Sequence, residues 1–336
     1  MASTKDTKRE LSRRVDTVTQ PRYLESQVRP YLRAEAGVNG DWETRVVQLD
    51  GTGAATIEIG LGRQQRVFAK LYPDDSGPLI YEKLKTLRAC GFGPGERYQA
   101  VEPLGFIPEY GMLLTKGAEG LPVSAHIGVD ERAVLAGATE AAIWLAKLHN
   151  TPLRIGPPRA LLDSGELLPM ARRLAKTLCQ RPQFLGLALE MIQALEDLAG
   201  DTVEGQLVQS HGQYRPIHVF IGDSSVTVID LDRSRPCDPA RDTAEFLHRL
   251  RMTTFWHMGS VEPAEAPTEA FLAAYSSAVA DGAYLANLRF HWARYIFHSF
   301  NHKLKDTDRS DGEVDAIVRF YRSEFENAIK GRFNVA

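Results

Sequence analysis

The sequence predicts an α+β fold of two lobes, a small antiparallel β lobe followed by a larger, mainly helical lobe. Three features support this prediction. Residues 41–72 hold three short runs of alternating apolar and polar residues separated by turns, as in a β meander. Beyond residue 123, apolar residues recur mainly at helical spacing. Within that helical part, residues 210–232 form a polar loop and two short β runs, the second of which ends in two carboxylates.

The composition is that of a globular protein with a substantial core. The chain has 336 residues, 43% apolar and 25% charged, with a net charge of -3 at pH 7. This charge provides no general attraction to nucleic acid or to an anionic membrane. The sequence has no run of about 18 apolar residues and no apolar signal core near its start. We therefore expect a cytoplasmic protein with no nucleic-acid or membrane partner, and its oligomeric state stays open.

The three cysteines are scattered and form no Cys-Xaa-Xaa-Cys pair, so Cys90, Cys179 and Cys237 are expected to be free thiols.

Residues 1–40 are predicted to be an N-terminal arm and a short helix. Residues 1–20 are polar and of mixed charge, and we expect them to be mobile. From Arg22 onward, apolar residues at helical spacing predict a short helix that packs on the first lobe. These apolar residues are Leu24, Val28, Tyr31 and Leu32.

The β lobe is predicted to span residues 41–116. Five strands and one helix are expected in it, followed by a hinge at residues 117–122. The strands are expected at residues 45–49, 55–60, 66–72, 98–104 and 112–115, and the helix at residues 78–89.

The helical lobe is predicted to span residues 123–336. Helices are expected at residues 130–149, 162–176, 185–198, 242–255 and 288–300, and a last amphipathic helix carries Val314, Ile317, Phe320, Tyr321 and Phe325. The helix over residues 288–300 is apolar on all sides and is expected to be buried.

A motif in the helical lobe resembles a known family. The order is His211-Gly212-Gln213, four residues, His218, then Ile229-Asp230-Leu231-Asp232, and then Cys237-Asp238-Pro239-Ala240-Arg241-Asp242. It is similar to the catalytic loop and metal-binding strand of aminoglycoside phosphotransferases and choline kinase-like enzymes, which are relatives of the protein kinases. Two chemical positions differ from that family, because Gln213 replaces its catalytic Asp and His218 replaces its metal-binding Asn.

The resemblance implies a protein-kinase-like fold that binds ATP or GTP. Lys70 would then neutralise the nucleotide phosphates, and Glu82 on the following helix would orient it, with Glu96 and Glu102 as alternative partners. Gly51 and Gly53 could cradle a phosphate with their backbone N–H groups, although a plain hairpin turn explains them equally well.

The resemblance also implies a divalent cation. Asp230 corresponds to the family's principal Mg²⁺ ligand, and His218, at the position of its second ligand, could favour Mn²⁺ or contact phosphate instead. Asp232 could be a second ligand or a substitute base, because strand alternation places it on the same side as Asp230. Arg215 could meet the transferred phosphoryl charge or be a surface residue. By the same resemblance, His211 and Asp242 have structural roles in the loop.

Gln213 decides between two functions. An amide cannot act as a base at neutral pH, but it can hold a hydroxyl by a hydrogen bond. Because phosphoryl transfer depends mainly on positioning and charge stabilisation, we predict a phosphotransferase (kinase) with an atypical active site that acts on a hydroxyl of a small molecule or peptide. The alternative is a pseudokinase-like protein that binds a nucleotide or other ligand for regulation and transfers no phosphoryl group.

The tail helix bears on the acceptor. Aminoglycosides are polycations and suit acidic pockets, but this helix is basic. Its charge favours an acidic or already phosphorylated ligand, unless these residues are merely a solvated helix face. The residues are Arg289, His291, Arg294, His298, His302 and Lys303.

Overall fold

The computed structural model describes residues 4–32, 41–49, 53–61, 65–160, 172–173, 176, 181–304 and 310–332. It divides into two compact units, one formed by Met1–Gly120 and Phe220–Asp232 and the other by Leu121–Val219 and Arg233–Ala336. The first unit is built on an antiparallel sheet, and the second is larger and mainly helical. The predicted α+β class is therefore confirmed. In the described part of the chain, no helix combines the length and apolarity needed to cross a membrane.

The main sheet of the first unit has five strands. They are Trp42–Gln48, Ala55–Leu61, Gln65–Leu71, Pro103–Ile107 and Met112–Lys116, and their order across the sheet is first, second, third, fifth, fourth in that list. All neighbouring strands are antiparallel. One face carries the core, because Val67, Ala69 and Leu71 are buried at alternate positions of the third strand. Lys70 lies between them in sequence and therefore points to the opposite face.

Residues 4–18 form a helix, so the prediction of a mobile arm is wrong for these residues. A helix spans Thr4–Val18, and its residues Leu11, Val15 and Val18 are buried against the same core as the sheet. Their spacing of four and three residues places them on one helix face. Three apolar residues among many polar ones are enough for this docking, although such a weak pattern did not predict it.

The short helix expected after residue 20 is present as three consecutive helical turns. These are Pro21–Tyr23, the π turn Leu24–Val28 and the 3-10 turn Arg29–Tyr31. Leu24, Val28 and Leu32 join the core of the first unit, which confirms the predicted packing.

The strand expected at residues 98–104 is in fact two strands in different sheets. Tyr98–Ala100 pairs in parallel with Val226–Val228, whereas Pro103–Ile107 belongs to the main sheet. The register of the second strand shifts between Pro103 and Gly105, and Pro103 has no N–H to donate to a continuous ladder. The parallel pair joins residues 220–232 to the first unit. The helix of this unit spans Ser76–Leu87 and continues into the π turn Arg88–Phe92.

The second unit consists of helices and short strands. Its helices are Glu131–His149, Leu185–Gly200, Ala240–Met258, Glu265–Ala278, Leu288–Leu304 and Asp311–Lys330. Its short strands include Leu121–Pro122, Val208–Ser210 and Arg235–Cys237, and a further short strand is Val219–Ile221. The helix over residues 265–278 was not predicted. Of the helix predicted at residues 162–176, all but residues 172, 173 and 176 lie outside the described residues.

Two helix starts show how sequence sets these boundaries. The Asp130 carboxylate accepts hydrogen bonds from the N–H groups of Arg132 and Ala133, both at 3.0 Å, as an N-cap residue does. Ser310 and Glu313 form a reciprocal capping box at the start of the last helix.

The polar loop at residues 211–218 directly follows the strand Val208–Ser210. This strand pairs antiparallel with Arg235–Cys237.

Candidate functional site

In the first unit, one lysine contacts both predicted carboxylates. Lys70 Nζ lies 2.6 Å from Asp230 Oδ1 and 2.8 Å from Asp232 Oδ2. All three side chains are partly exposed, so the group is accessible to a ligand. Burial lowers the pKa of Lys70, but the charges of Asp232 and Asp230 outweigh it and leave this pKa above its usual range. Lys70 is therefore a cation held by two carboxylates.

The backbone at Asp230 is unusual. Its φ of 63° lies in the left-handed region, and it is the only non-glycine residue with a positive φ in the described ranges. Aspartate tolerates this conformation better than most residues, because its short side chain can hydrogen-bond locally. The bend ends the strand Val226–Val228 and starts the turn that brings Asp232 back to Lys70.

Two residues that the sequence analysis missed hold this turn. The Tyr72 hydroxyl donates to Asp232 Oδ2 at 3.0 Å, and burial, followed by the charge of Asp232, raises the pKa of Tyr72 so that it stays a donor. Lys83 Nζ donates to the backbone carbonyl of Asp232 at 2.9 Å. Strand alternation could have indicated Tyr72, which is two residues from Lys70. Lys83 had no comparable signal.

The predicted pairing of Lys70 with Glu82 is wrong. Glu82 is exposed, and its Oε1 lies 3.0 Å from Lys85 Nζ on the next turn of the same helix. The alternative partner Glu102 lies 3.8 Å from Arg88. The helix Ser76–Leu87 directs Lys83 rather than Glu82 to the carboxylate turn, because adjacent helix positions point in directions about 100° apart.

The glycines of the first turn, Gly51 and Gly53, were considered as a phosphate cradle or as a plain hairpin turn. Gly51 lies outside the described residues. Gly53 has no heavy atom within 4 Å of the position that a Cβ would occupy, so packing does not require glycine there. This agrees both with a phosphate cradle and with a plain hairpin turn.

In the second unit, Asp242 holds the polar loop. Its carboxylate accepts the backbone N–H of His211 at 2.5 Å and that of Gly212 at 2.9 Å. Burial raises the pKa of Asp242, but His149 and His211 outweigh it and leave this pKa below its usual range. Gly212 has a φ of 82°, and a Cβ there would collide with the carbonyl oxygen of Arg233. The loop therefore needs both the carboxylate and the glycine.

Gln213 lies in a chain of polar contacts. Its amide oxygen, assigned to face Arg215, accepts from Nη2 at 2.6 Å and from Nη1 at 3.2 Å. Arg215 Nε in turn donates to Glu245 Oε1 at 2.7 Å. The structure thus brings together the two predicted residues Gln213 and Arg215, and it adds Glu245, which was not predicted.

His218 has a loop-holding contact. Its Nδ1 lies 3.0 Å from the carbonyl oxygen of Gln213, and its ring stacks on that of His211 with centroids 5.8 Å apart. If Nδ1 holds the loop, only Nε2 could contact an ion or a phosphate. His218 as a metal ligand stays a prediction.

The carboxylates fit a magnesium ion better than a transition metal. Among the described residues, no group of three or more His, Cys, Asp or Glu side chains could hold a metal. Asp230 and Asp232 supply two hard oxygen ligands within reach of one cation, as their shared contact with Lys70 shows. Mg²⁺ needs only one or two protein carboxylates when water and substrate phosphates complete its shell.

Comparison with known proteins gives the family. Residues 36–294 match the sequence model of the phosphotransferase enzyme family. The chain belongs to this family. The predicted resemblance is therefore confirmed. No curated protein sequence matches this chain.

Solved structures of other phosphotransferases have the same fold as this family member. An ADP-bound aminoglycoside phosphotransferase is 16% identical, with a TM-score of 0.55 over 90% of this chain and 99% of that chain. A choline/ethanolamine kinase family protein from Mesorhizobium loti is 13% identical, with a TM-score of 0.58 over 98% and 99% of the two chains. A GDP and kanamycin complex of an aminoglycoside phosphotransferase is 12% identical, with a TM-score of 0.56 over 85% and 93%. The predicted protein-kinase-like fold is thereby confirmed.

Proposed function

We propose that this phosphotransferase transfers a phosphoryl group from ATP or GTP to a hydroxyl of a small molecule or peptide. The observation that carries the proposal is the convergence of Lys70 on Asp230 and Asp232, at 2.6 and 2.8 Å. A lysine beside paired carboxylates is the arrangement that nucleotide phosphates and their metal ion require. Solved neighbours contain ADP or GDP, which supports a nucleotide as the donor.

Each residue has a proposed task. Lys70 contacts the nucleotide phosphates, and Asp230 holds Mg²⁺, or Mn²⁺ in its place. Asp232 is either a second ligand of this ion or the substitute base. The ion would neutralise the phosphate charge. Lys70 can move from the carboxylates to phosphate oxygens, because all of these partners are anionic acceptors. Tyr72 and Lys83 keep the carboxylate turn in place during this exchange.

The acceptor side is proposed to use Gln213. Its amide cannot remove a proton at neutral pH, so it would position the hydroxyl through a hydrogen bond. Arg215 fixes the amide from one side, and Glu245 fixes Arg215. Of the two roles proposed for Asp232, that of the base would supply the proton acceptor that Gln213 lacks.

A second function is favoured by the same amide. Without a carboxylate at position 213, the protein could bind a nucleotide and regulate a partner without transfer, as a pseudokinase does. Membership of the phosphotransferase family and the intact Lys70 group support the enzyme more strongly. Fold alone does not choose between the two functions.

The test is a transfer assay with the full chain. Purified protein is incubated with γ-labelled ATP or GTP, Mg²⁺ and a metabolite extract, and acceptors are found by label and by the mass gain of one phosphoryl group. We expect Lys70→Met and Asp230→Asn to abolish transfer. The matched control is Lys85→Met, because Lys85 is an exposed lysine of the same unit that pairs with Glu82. Nucleotide binding without transfer to any acceptor would establish the regulatory alternative instead.

A further inference from the structure

The N-terminal helix Thr4–Val18 precedes the residues that place the chain in its family. The family model matches residues 36–294. The helix nevertheless packs on the second and third strands of the main sheet, and its apolar residues share the core of the first unit with Leu71. Leu71 stands between Lys70 and Tyr72, two residues of the candidate site. The helix therefore supports the segment that carries both of these side chains.

One polar contact joins this helix to the residues of the site. Arg14 Nη1 donates to the backbone carbonyl oxygen of Tyr72 at 3.1 Å. The Arg14 side chain is partly exposed, and its Nε lies 3.2 Å from Glu10 Oε1 on the same helix. A hydrogen bond from a charged donor is stronger than one between neutral groups. The contact therefore ties the backbone just beyond the third strand to the N-terminal helix.

Tyr72 is held at both ends. Its backbone N–H donates to the carbonyl oxygen of Gly111 at 3.0 Å, and its carbonyl oxygen accepts from Arg14. Its ring is buried and lies against the following helix, where a Cβ on Gly77 would come within 3.1 Å of it. Its hydroxyl donates to Asp232 Oδ2 at 3.0 Å. Because the aromatic ring is rigid, the position of the Tyr72 backbone sets the position of this hydroxyl.

The carboxylate of Asp232 receives two donors on one oxygen. Its Oδ2 lies 3.0 Å from the Tyr72 hydroxyl and 2.8 Å from Lys70 Nζ. A carboxylate that two donors orient has less freedom to rotate than one that a single donor orients. The contact with Tyr72 therefore restricts where Asp232 points, and phosphoryl transfer depends on positioning of this kind.

We infer that Arg14 is a positioning residue of the nucleotide site and acts on Asp232 through Tyr72. This inference rests on the proposed function, because it names what holds one carboxylate of that same site. The contacts run from Arg14 to the backbone of Tyr72, along its ring to Asp232, and from Asp232 to Lys70. A helix that served only the core would need its apolar contacts but not this hydrogen bond.

The test is a double-mutant cycle in the full chain. Equilibrium binding of ATP or GTP with Mg²⁺ is measured at a temperature at which every variant is folded. Arg14→Met and Tyr72→Phe should each weaken binding about three- to tenfold. The double variant should bind as Tyr72→Phe does, within about a factor of two, because the hydroxyl through which Arg14 acts is already absent. Arg13→Met removes the exposed neighbouring arginine and, as the matched control, should bind as the wild type does.

Hydrogen exchange of the nucleotide-free protein gives a second readout that needs no ligand. The amide of Tyr72 is bonded to Gly111, and its exchange reports how firmly this part of the backbone is held. We expect this amide to exchange faster in Arg14→Met than in Arg13→Met or the wild type, because Tyr72 loses the contact at its carbonyl oxygen.

The possible outcomes separate this inference from the proposed function. Unchanged nucleotide affinity in Arg14→Met, or unchanged exchange at Tyr72, overturns the inference. Additive losses of affinity in the double variant also overturn it, because they would show that Arg14 supports the fold without acting through the Tyr72 hydroxyl. In each of these cases the wild type still binds nucleotide, and the proposed function stands. A wild type that binds neither nucleotide would defeat the proposed function itself.

Discussion

Gln213 stands where the resemblance to the family predicts a catalytic Asp. Its amide oxygen accepts two hydrogen bonds from Arg215, and a backbone contact with His218 holds the same residue. The position is therefore ordered from both sides. An ordered amide at this place is what a hydroxyl-positioning role requires.

We predict that Gln213→Ala transfers phosphate about tenfold or more slowly than the wild type with saturating acceptor, because the hydroxyl loses its hydrogen bond. Gln213→Asp should be faster than Gln213→Ala, since a carboxylate restores a proton acceptor and can pair with Arg215. Initial rates with the identified acceptor measure both. A wild-type rate in Gln213→Ala would remove Gln213 from the mechanism.

Asp232 has two candidate roles that kinetics can separate. Its Oδ2 contacts both Lys70 and Tyr72. If Asp232 is the substitute base, Asp232→Asn lowers kcat by about 10² to 10⁴ with a smaller effect on nucleotide affinity. Equal losses in kcat and in Mg²⁺-dependent nucleotide binding would identify it as a metal ligand. Tyr72→Phe serves as the control, because it removes one contact of Asp232 while keeping the carboxylate.

Among the elements, the helix Ser76–Leu87 contacts the site through a residue that was not predicted. A lysine rather than a glutamate reaches the carboxylate turn, where Lys83 donates to the carbonyl of Asp232 at 2.9 Å. This contact supports the left-handed backbone at Asp230, whose conformation costs energy that surrounding contacts must supply.

We expect Lys83→Met to weaken nucleotide binding by a factor of about 5 to 30, less than Lys70→Met. The substitution removes the hydrogen bonds that this charged donor makes to the carbonyl oxygens of Leu231 and Asp232, and it leaves the carboxylates in place. Equilibrium binding of ATP with Mg²⁺ gives the comparison. Lys85→Met, two residues away and exposed, should bind as the wild type does. If both variants bind equally well, the helix does not support the site through Lys83.

The helix Thr4–Val18 is predicted to be part of the folded first unit in solution. Leu11→Ala should lower the free energy of unfolding by about 2 to 5 kcal/mol, since Leu11 is buried in the core. The exposed Asp16→Ala on the same helix should change it by less than about 0.5 kcal/mol. Denaturant unfolding gives both values. Equal stability of the two variants would mean that this helix is not docked.

For the whole molecule, acid sensitivity is expected to depend on Asp242. The pKa of Asp242 lies below its unfolded value of 3.8, so the unfolded chain binds the proton first as the pH falls. The stability that the ionised carboxylate contributes is therefore complete above about pH 4 and is lost as the pH falls through the folded pKa.

Asp242→Asn should lower the free energy of unfolding at pH 7 by about 1 to 3 kcal/mol, because two backbone N–H groups lose an ionised acceptor. The difference from the wild type should shrink towards pH 3. Urea unfolding between pH 7 and pH 3 measures it, with the exposed Asp315→Asn as a control. A difference that is constant over this range would show that the charge of Asp242 has no part in stability.

The local pattern of the chain was enough to predict several parts of this protein. Alternating residues predicted three strands of the main sheet, and helical spacing predicted the helices that begin at Ser76, Glu131 and Ala240 within a few residues. The order of His211, Gly212, Asp230 and Asp242 predicted the family that the comparison shows. These features depend on neighbouring residues or on short motifs, so they can be read along the chain.

The fold class, the family and the candidate site residues Lys70, Asp230 and Asp232 could therefore be inferred from the sequence alone. Three other features became visible only in the folded chain: Lys83 rather than Glu82 reaches the carboxylate turn, Tyr72 donates to Asp232, and the N-terminal helix packs on the core. The structure also showed that His291 and Arg294 of the basic tail helix are buried rather than part of a solvated face. The physical reason is that these contacts join residues far apart in sequence, 160 positions for Tyr72 and Asp232. Periodicity shows which face a residue lies on, whereas packing alone selects the partner opposite it.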